Sequence, residues 1–575
     1  MIRKFTLCAM ILASSLSSFA AVDPVFQWAH SIDGDTSGGD SPIAVTKTTD
    51  GNYLLLSTFG STSTALPVRY DATEIAQGAP YVTTTANNGN LLIQKIAPST
   101  GNILWTAYSN RGDINNSSSM AATSDGGVVL TLKVRNTDLL DVDVLINIVD
   151  AAGTVTPVKW VYPKSRVYKG VMVRLDKDGK LKWTKYLNVS SAYTGVTDPE
   201  TDGASFYATT VDASGNIYVS GSIRDTLTVA KADGTSADII PANIKSWIAT
   251  PKGTSADMFL AKFDADGNFL SSLNVSGTAA NSSIDNLVFD SGKLYAQGHI
   301  LGDNTLPSVT IGNQTLAIDS LDDELLLSIN PDLTLNYAKK FIGTAASDTK
   351  HTHQNKGLQL IDGSIYLFGA LKGGFADAAK TAAFMSSAGT KLEGFVIRAN
   401  AADGSLSASA MQGAGISAYF GAMAVGDDIY VYGYSNAYKT CINVHSKSDL
   451  SKTSTTYTLV TYGTTSLCAS PLIDGTNFVS FNRGGKGNSK TNVASFYGTT
   501  STLTNLVNWG SVVSSYKIAT STGISNLTTQ PARSNYDVYG IDGRLVRHAD
   551  NADNALKGLS KGIYIIGKKK VIINQ

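Results

Sequence analysis

Cysteine is nearly missing: the 575 residues contain three, too few for a disulfide scaffold. Cys8 lies in an N-terminal apolar run, which leaves Cys441 and Cys468 for a mature chain. In an oxidising compartment these two could pair, and spacing alone does not decide it. Charge is scarce too, at 16%, and balanced, with 46 basic and 46 acidic residues. Overall neutrality argues against nucleic acid or an anionic membrane surface as partner. Beyond the N-terminus no stretch approaches about 18 uninterrupted apolar residues, so no transmembrane segment is expected in the mature chain. The G-x-S-x-G, H-E-x-x-H, phosphate-loop and Cys–His arrangements are all missing in the context that gives them meaning. Helical periodicity is missing between residues 26 and 512.

What is present begins with export. Arg3 and Lys4 precede a mostly apolar run over 5–16, and Ser18-Phe19-Ala20 gives small residues before Ala21. This is the pattern of a secretory signal peptide over 1–20. It predicts a secreted or cell-surface protein. Gly, Ser, Thr, Asn and Tyr are plentiful, as expected of a β-rich extracellular chain.

A phrase then recurs: a turn of Asp, Gly, Ser or Asn, followed by an alternating strand. It reads Asp50-Gly51-Asn52-Tyr53-Leu54-Leu55, Asp125-Gly126-Gly127-Val128-Val129-Leu130 and Ser214-Gly215-Asn216-Ile217-Tyr218-Val219. Gly292-Lys293-Leu294-Tyr295, Gly363-Ser364-Ile365-Tyr366, Asp427-Asp428-Ile429-Tyr430 and a degenerate Gly475-Thr476-Asn477-Phe478 complete the set. Another short strand precedes each copy. A third follows after a variable gap, at 91–96, 171–175, 258–263, 325–329 and 395–399, and closes in a tight turn such as Asp176-Lys177-Asp178-Gly179. A fourth strand carries an aromatic residue, as at Trp105 and Trp183. Four antiparallel strands per repeat predict an all-β fold, a seven-bladed β-propeller over 21–512, with six or eight blades as the alternatives. Residues 26–30 around Trp28 read as an isolated fourth strand that pairs with the last blade and closes the ring. The repeat resembles the bacterial β-propeller repeats of the form D-x-x-G-N-x-Y-V-x-G, a structural motif without catalytic residues.

Past residue 512 the pattern stops. A polar linker over 513–534, with Pro531, leads to a distinct segment over 535–575. It contains Tyr536-Asp537, then Gly543-Arg544-Leu545-Val546, Gly558-Leu559-Ser560-Lys561-Gly562-Ile563-Tyr564-Ile565, and a lysine turn with Lys569 before Val571. This resembles the short C-terminal sorting domain of the Por (type IX) secretion pathway. The resemblance implies a partner in the secretion machinery, passage across the outer membrane and removal of the tail. The segment reads as three short strands joined by glycine turns.

Sites are harder to place. The links between second and third strands are long, spanning 58–90, 134–170, 222–256, 299–323 and 370–394, while the opposite turns are tight. Long loops on one face of a rigid scaffold are where binding usually sits. Trp160, Tyr162 and Trp247 fall in these links with Tyr70 and Tyr168. Such rings could stack on sugars, or pack the insertions onto the blades. No cofactor is implied, with calcium at Asp33, Asp35 and Asp40 as the one candidate. Asp176 with Asp178 and Asp264 with Asp266 read as hairpin turns, and His351 and His353 near Asp348 as a solvated loop. The leading expectation is a non-enzymatic binding or adhesion protein for glycans or envelope proteins. The alternative is a secreted carbohydrate-active enzyme, a glycosidase or lyase, and a third reading is a structural envelope protein.

Overall fold

The computed structural model describes residues 21–518 and 537–573, apart from stretches chiefly at 34–40, 60–66, 78–89, 136–143, 161–168, 190–203, 240–256, 344–356 and 484–491. The chain divides into two compact units, Met1–Ile518 and Ala519–Gln575. Among the described residues a single five-residue helix, Ala552–Leu556, interrupts an otherwise all-strand chain.

In the larger unit the strands form successive antiparallel meanders, and the unit folds as a β-propeller. The first comprises Ser41–Lys47, Tyr53–Phe59, Asn90–Ile96 and Ile103–Ser109. The second comprises Ser119–Ala122, Val128–Arg135, Lys169–Leu175 and Leu181–Val189. The third runs through Ala204–Val211, Ile217–Ile223, Asp257–Phe263 and Phe269–Ser272. The fourth takes Asn281–Asp290, Lys293–Leu301, Asp322–Ile329 and Leu335–Gly343. Gly357–Ile361, Ser364–Leu371, Glu393–Asn400 and Leu406–Met411 make the fifth. Ile416–Val425, Asp428–Ser435, Thr440–Ser446 and Thr453–Thr461 make the sixth. The last pairs Asn477–Arg483 with Ser511–Lys517, and its inner strand is broken into Leu467–Cys468 and Leu472–Asp474 around Pro471, which has no N–H to donate. Its fourth strand is Val25–Asp33 from the other end of the unit, aligned antiparallel to Ser511–Lys517 from Val25 opposite Lys517 to Ile32 opposite Ser511. The isolated strand expected around Trp28 occupies that place. The third strand of the last meander runs through Lys517, past the boundary expected at 512.

Apolar cores lie between consecutive sheets. Leu54, Leu91 and Ile93 of the first meander pack on Leu130, Val171 and Val173 of the second. Tyr366 and Phe368 of the fifth pack on Tyr419 and Val431 of the sixth. The series returns to its start: Val479, Phe481 and Val513 of the last meander pack on Leu55, Leu92 and Tyr108 of the first. One sheet has two apolar faces and cannot bury both alone; neighbours on either side do so.

The turns explain why the phrase recurs. Asp176 Oδ1 accepts the N–H groups of Asp178 and Lys180, both at 2.9 Å, so the side chain closes the hairpin on its own backbone. Gly179 follows with φ 82°, a conformation that strains any residue carrying a Cβ. The same closure recurs at Asp264, which accepts from Asp266 and Asn268. Both pairs are hairpin turns, as expected.

The fourth-strand aromatics reach the next sheet. Trp28 Nε1 donates to Pro98 O at 2.8 Å, Trp105 Nε1 to Lys177 O at 2.9 Å, and Trp183 Nε1 to Ala265 O at 3.2 Å. Tyr337 repeats the contact with its hydroxyl on Ala401 O at 3.3 Å. Each ring lies over the third-to-fourth turn of the following meander, so turn and ring form one fastening between sheets.

The long second-to-third links are more than loops. The link of the second meander carries a hairpin, Val144–Asp150 with Val155–Trp160, that pairs onto Ile103–Ser109 of the first. Leu227–Ala230 with Ser236–Ile239 pairs onto Leu181–Val189, and Gly374–Ala376 with Ala383–Ser386 onto Leu335–Gly343. Ser308–Ile311 with Gln314–Ala317 pairs onto Val275–Gly277, and Asn492–Phe496 with Thr502–Leu506 onto Thr453–Thr461. Pro67–Tyr70 with Thr73–Gln77 adds to Val25–Asp33 in the same way. Each hairpin but one therefore extends the sheet before its own; Ser308–Ile311 with Gln314–Ala317 instead forms a separate three-stranded sheet with Val275–Gly277. Only residues 436–439 join the middle strands of the sixth meander, too few for a hairpin.

The smaller unit is a four-stranded sheet in the order Leu545–Arg547, Val538–Gly540, Gly562–Ile566, Lys569–Ile573. Val538, Ala549, Ala555, Ile566 and Val571 form its core. The three strands expected there are thus four strands and a helical turn. No helix among the described residues is long and apolar enough to cross a membrane.

Candidate functional site

The residues singled out in the links divide by position. Trp160 ends a hairpin strand opposite Val144, and its side chain lies outside the described residues, as do Tyr162, Tyr168 and Trp247 altogether. Tyr70 is described, and it is no platform: it is buried, stacked on His30 at 4.8 Å, with its hydroxyl donating to Gly101 O at 2.5 Å. It packs the insertion onto the scaffold. Asp33 ends its strand opposite Arg69, while Asp35, Asp40, Asp348, His351 and His353 lie outside the described residues. Among the described residues no three His, Cys, Asp or Glu side chains converge as a metal site.

Cys441 and Cys468 are free and buried, not joined to each other. Cys441 Sγ donates to Gly433 O at 3.5 Å, and burial pushes its thiol up to about 12. Burial raises the Cys468 thiol as well.

In the smaller unit Arg544 is exposed beside Asp542 at 3.8 Å, and Gly558 takes φ 69° just after the helix. Gly562 opens a strand against the ring of Tyr564, whose hydroxyl donates to Ser560 O at 3.0 Å. Lys569 stands opposite Ile566, and Gly543 lies outside the described residues.

Sequence reasoning missed a buried polar constellation. In the fourth meander Ser283, His299 and Glu324 stand opposite one another across three neighbouring strands. An irregularity between Ile284 and Asn286 inserts Asp285 beside them. All four are buried. His299 Nδ1 lies 3.0 Å from Ser283 Oγ and 3.2 Å from Asp285 Oδ2, and Ser283 Oγ also donates to Asp285. Gln297 Nε2 donates to Glu324 Oε1 at 2.6 Å and to Phe368 O of the fifth meander at 3.1 Å, while its own oxygen accepts from Asn286 at 3.0 Å. The partners come from strands far apart in sequence, each in an unremarkable alternating pattern, so no local spacing announces them.

The chemistry of this cluster follows from which nitrogen is used. A carboxylate only accepts, so Nδ1 carries the proton and shares it between Asp285 and Ser283. Nucleophilic catalysis by serine needs the hydroxyl on Nε2, with the carboxylate on Nδ1 opposite. Here both sit on one nitrogen, and the serine proton already goes to the carboxylate. The arrangement therefore differs from the template that activates a serine. Through Gln297 the cluster ties the fourth sheet to the backbone of the fifth.

No protein family and no curated protein matches the chain. Solved structures align over most of it at low similarity. The Dos1 propeller shares 10% identity over 87% of this chain and 96% of that one, with a TM-score of 0.37. A subtype N10 neuraminidase-like protein of A/little yellow-shouldered bat/Guatemala/060/2010 shares 6% over 69% and 93%, at 0.32. The gluconolactonase XC5397 from Xanthomonas campestris shares 11% over 84% and 97%, at 0.25.

Proposed function

We propose that this is an exported or cell-surface protein whose seven blades form a closed ring, and whose link-bearing face binds glycans or envelope proteins without catalysing a reaction. The observation that carries this reading is the one-sided build. The second-to-third links leave from one end of the strands and carry added hairpins, whereas the turns at the other end close on their own side chains. Elaborated connections on one face of a rigid scaffold are the usual seat of recognition. Seven strand meanders, with apolar packing that returns from the last to the first, support the blade count. Trp28, Trp105 and Trp183 are taken up in fastening sheets together, and Trp160, Tyr162 and Trp247 of the long links are the aromatic side chains we assign to ligand contact. Residues 1–20 act as signal peptide, and 535–575 as the sorting segment read by the secretion machinery.

The test is a glycan array probed with the folded mature protein and with Trp160→Ala and Trp247→Ala. The expected result is binding by the wild type and a loss of about tenfold or more in at least one variant. Equal binding by all three proteins would remove the aromatic platform; no binding by any would remove the glycan.

A further inference from the structure

We infer that the seam between the last and first meanders binds a file of water molecules. The observation is a concentration of buried polar atoms without hydrogen-bond partners. Ser57 Oγ, both amide atoms of Asn90, both amide atoms of Gln94, Thr106 Oγ1 and Ser511 Oγ are all in this state. Each of these residues is 0–1% exposed.

Strand register places them together. Gln94 stands opposite Leu55 on one side and Thr106 on the other, Ser57 opposite Leu92, and Asn90 opposite Phe59. Leu55, Phe59, Leu92 and Tyr108 of that face belong to the core shared with Val479, Phe481 and Val513 of the last meander. Ser511 is two residues before Val513 on the facing strand and stands opposite Arg483. Arg483 crosses the seam, its Nη1 donating to Ser41 Oγ at 2.8 Å. The polar groups thus run from the link-bearing end, at Asn90 and Ser511, inward to Gln94 and Thr106.

Neighbouring seams show that this polarity is not required by the fold. In the sixth and last meanders the place of Gln94 is polar too, held by Asn443, which donates to Tyr419 Oη, and by Ser514, hydrogen-bonded to Ser480. In the second to fifth meanders it is held by Val173, Ala261, Leu327 and Ile397, each paired to its second strand in the same register. All four are buried among apolar side chains. A carboxamide in such a place is costly unless something answers its donors and acceptor. The five side chains named are neutral and offer both donors and acceptors, and the Arg483 guanidinium stands at the Ser511 end, so the occupant is a small polar molecule that can both donate and accept. Enclosure limits its size, and water bound by two to four polar partners is the one that fits.

The experiment compares wild type with Gln94→Met, which keeps the volume and removes both amide atoms. High-resolution crystallography of the wild type is expected to show ordered waters on Gln94, Asn90, Ser57 and Thr106. Water-¹⁷O relaxation dispersion should show long-lived molecules whose number falls in the variant. The melting temperature of the variant should drop by roughly 1–3 °C, because the remaining groups lose an anchor for their waters. A dry seam predicts the opposite sign: removing an unanswered amide would raise the melting temperature. That rise, or a crystal structure with the seam closed by side chains alone, would overturn the inference.

Discussion

Trp105 lies over Gly179 of the next meander, and a Cβ built on that glycine would stand 2.9 Å from the ring. The indole also donates to Lys177 O at 2.9 Å, in the same turn. The glycine is there for two separate reasons, its left-handed backbone and the ring above it. Gly153 separates them, since it has φ 83° in a hairpin turn with open space around it. Gly153→Ala should cost about 1–2 kcal/mol from backbone strain alone. Gly179→Ala should cost about 1–3 kcal/mol more, because ring or turn must shift. Urea unfolding of the two variants measures the difference directly. Equal losses would mean that the ring yields freely and does not fasten the sheets.

Much of this architecture was legible in the sequence, because the turn phrase, the alternating strands and the fourth-strand aromatic all act within a few residues of one another. Asp176, Gly179 and Trp183 could be read in order, and the strand around Trp28 announced itself by lacking its three companions. The added hairpins could not be read. Their strands are mostly short, as at Gly374–Ala376, and most of their partners lie in the preceding sheet. Tyr70 shows the consequence: in sequence it is an aromatic in a long link, and in space it is buried against Gly101. The His299 cluster was hidden for a similar reason, since Ser283, His299 and Glu324 meet only through register.

Acid should act through Asp125. Partial burial pushes its carboxyl up, but the Thr123 hydroxyl, the Arg174 guanidinium and the Gly127 N–H outweigh that and hold it at about 2, against an ordinary 3.8. A carboxyl depressed in the folded state stabilises the fold above the unfolded value and loses that contribution as pH falls toward the folded one. The window is therefore from about pH 4 down to about pH 2. Asp125 is half exposed, so screening limits the effect to about 1 kcal/mol or less. Chemical unfolding of Asp125→Asn across this window should show a shallower decline than wild type. A parallel decline would show that the Arg174 contact contributes nothing.

The two thiols make a chemical prediction. Thiolate is the reactive form, and burial holds both Cys441 and Cys468 far from ionising at neutral pH. Neither should react with a thiol reagent in the native protein, and both should react once it is unfolded. Mass spectrometry after alkylation counts them. Labelling of neither cysteine after unfolding without reductant would mean that the protein joins them after all.

Where the chain can be cut tests the division into units. Ser511–Lys517 is the third strand of the last meander, paired on one side with Asn477–Arg483 and on the other with Val25–Asp33. Ile518 N–H still donates to Thr476 O at 2.8 Å. A chain ending at 512 would strip that strand from between its two neighbours, leaving Val25–Asp33 without a partner in the last meander and opening cores that hold Val513 and Tyr516. It should fail to fold or melt far below the full chain. A chain ending at 518 keeps every one of these bonds, and the smaller unit has its own core around Val538, Ile566 and Val571. Its melting temperature should match that of the mature full-length protein within error. Export by a competent host should then produce a natural end within 519–536 and a start near Ala21. Intact-mass analysis of the culture supernatant reads both ends. A secreted product that retained residues 537–573 would remove the sorting role from the smaller unit while leaving the propeller untouched.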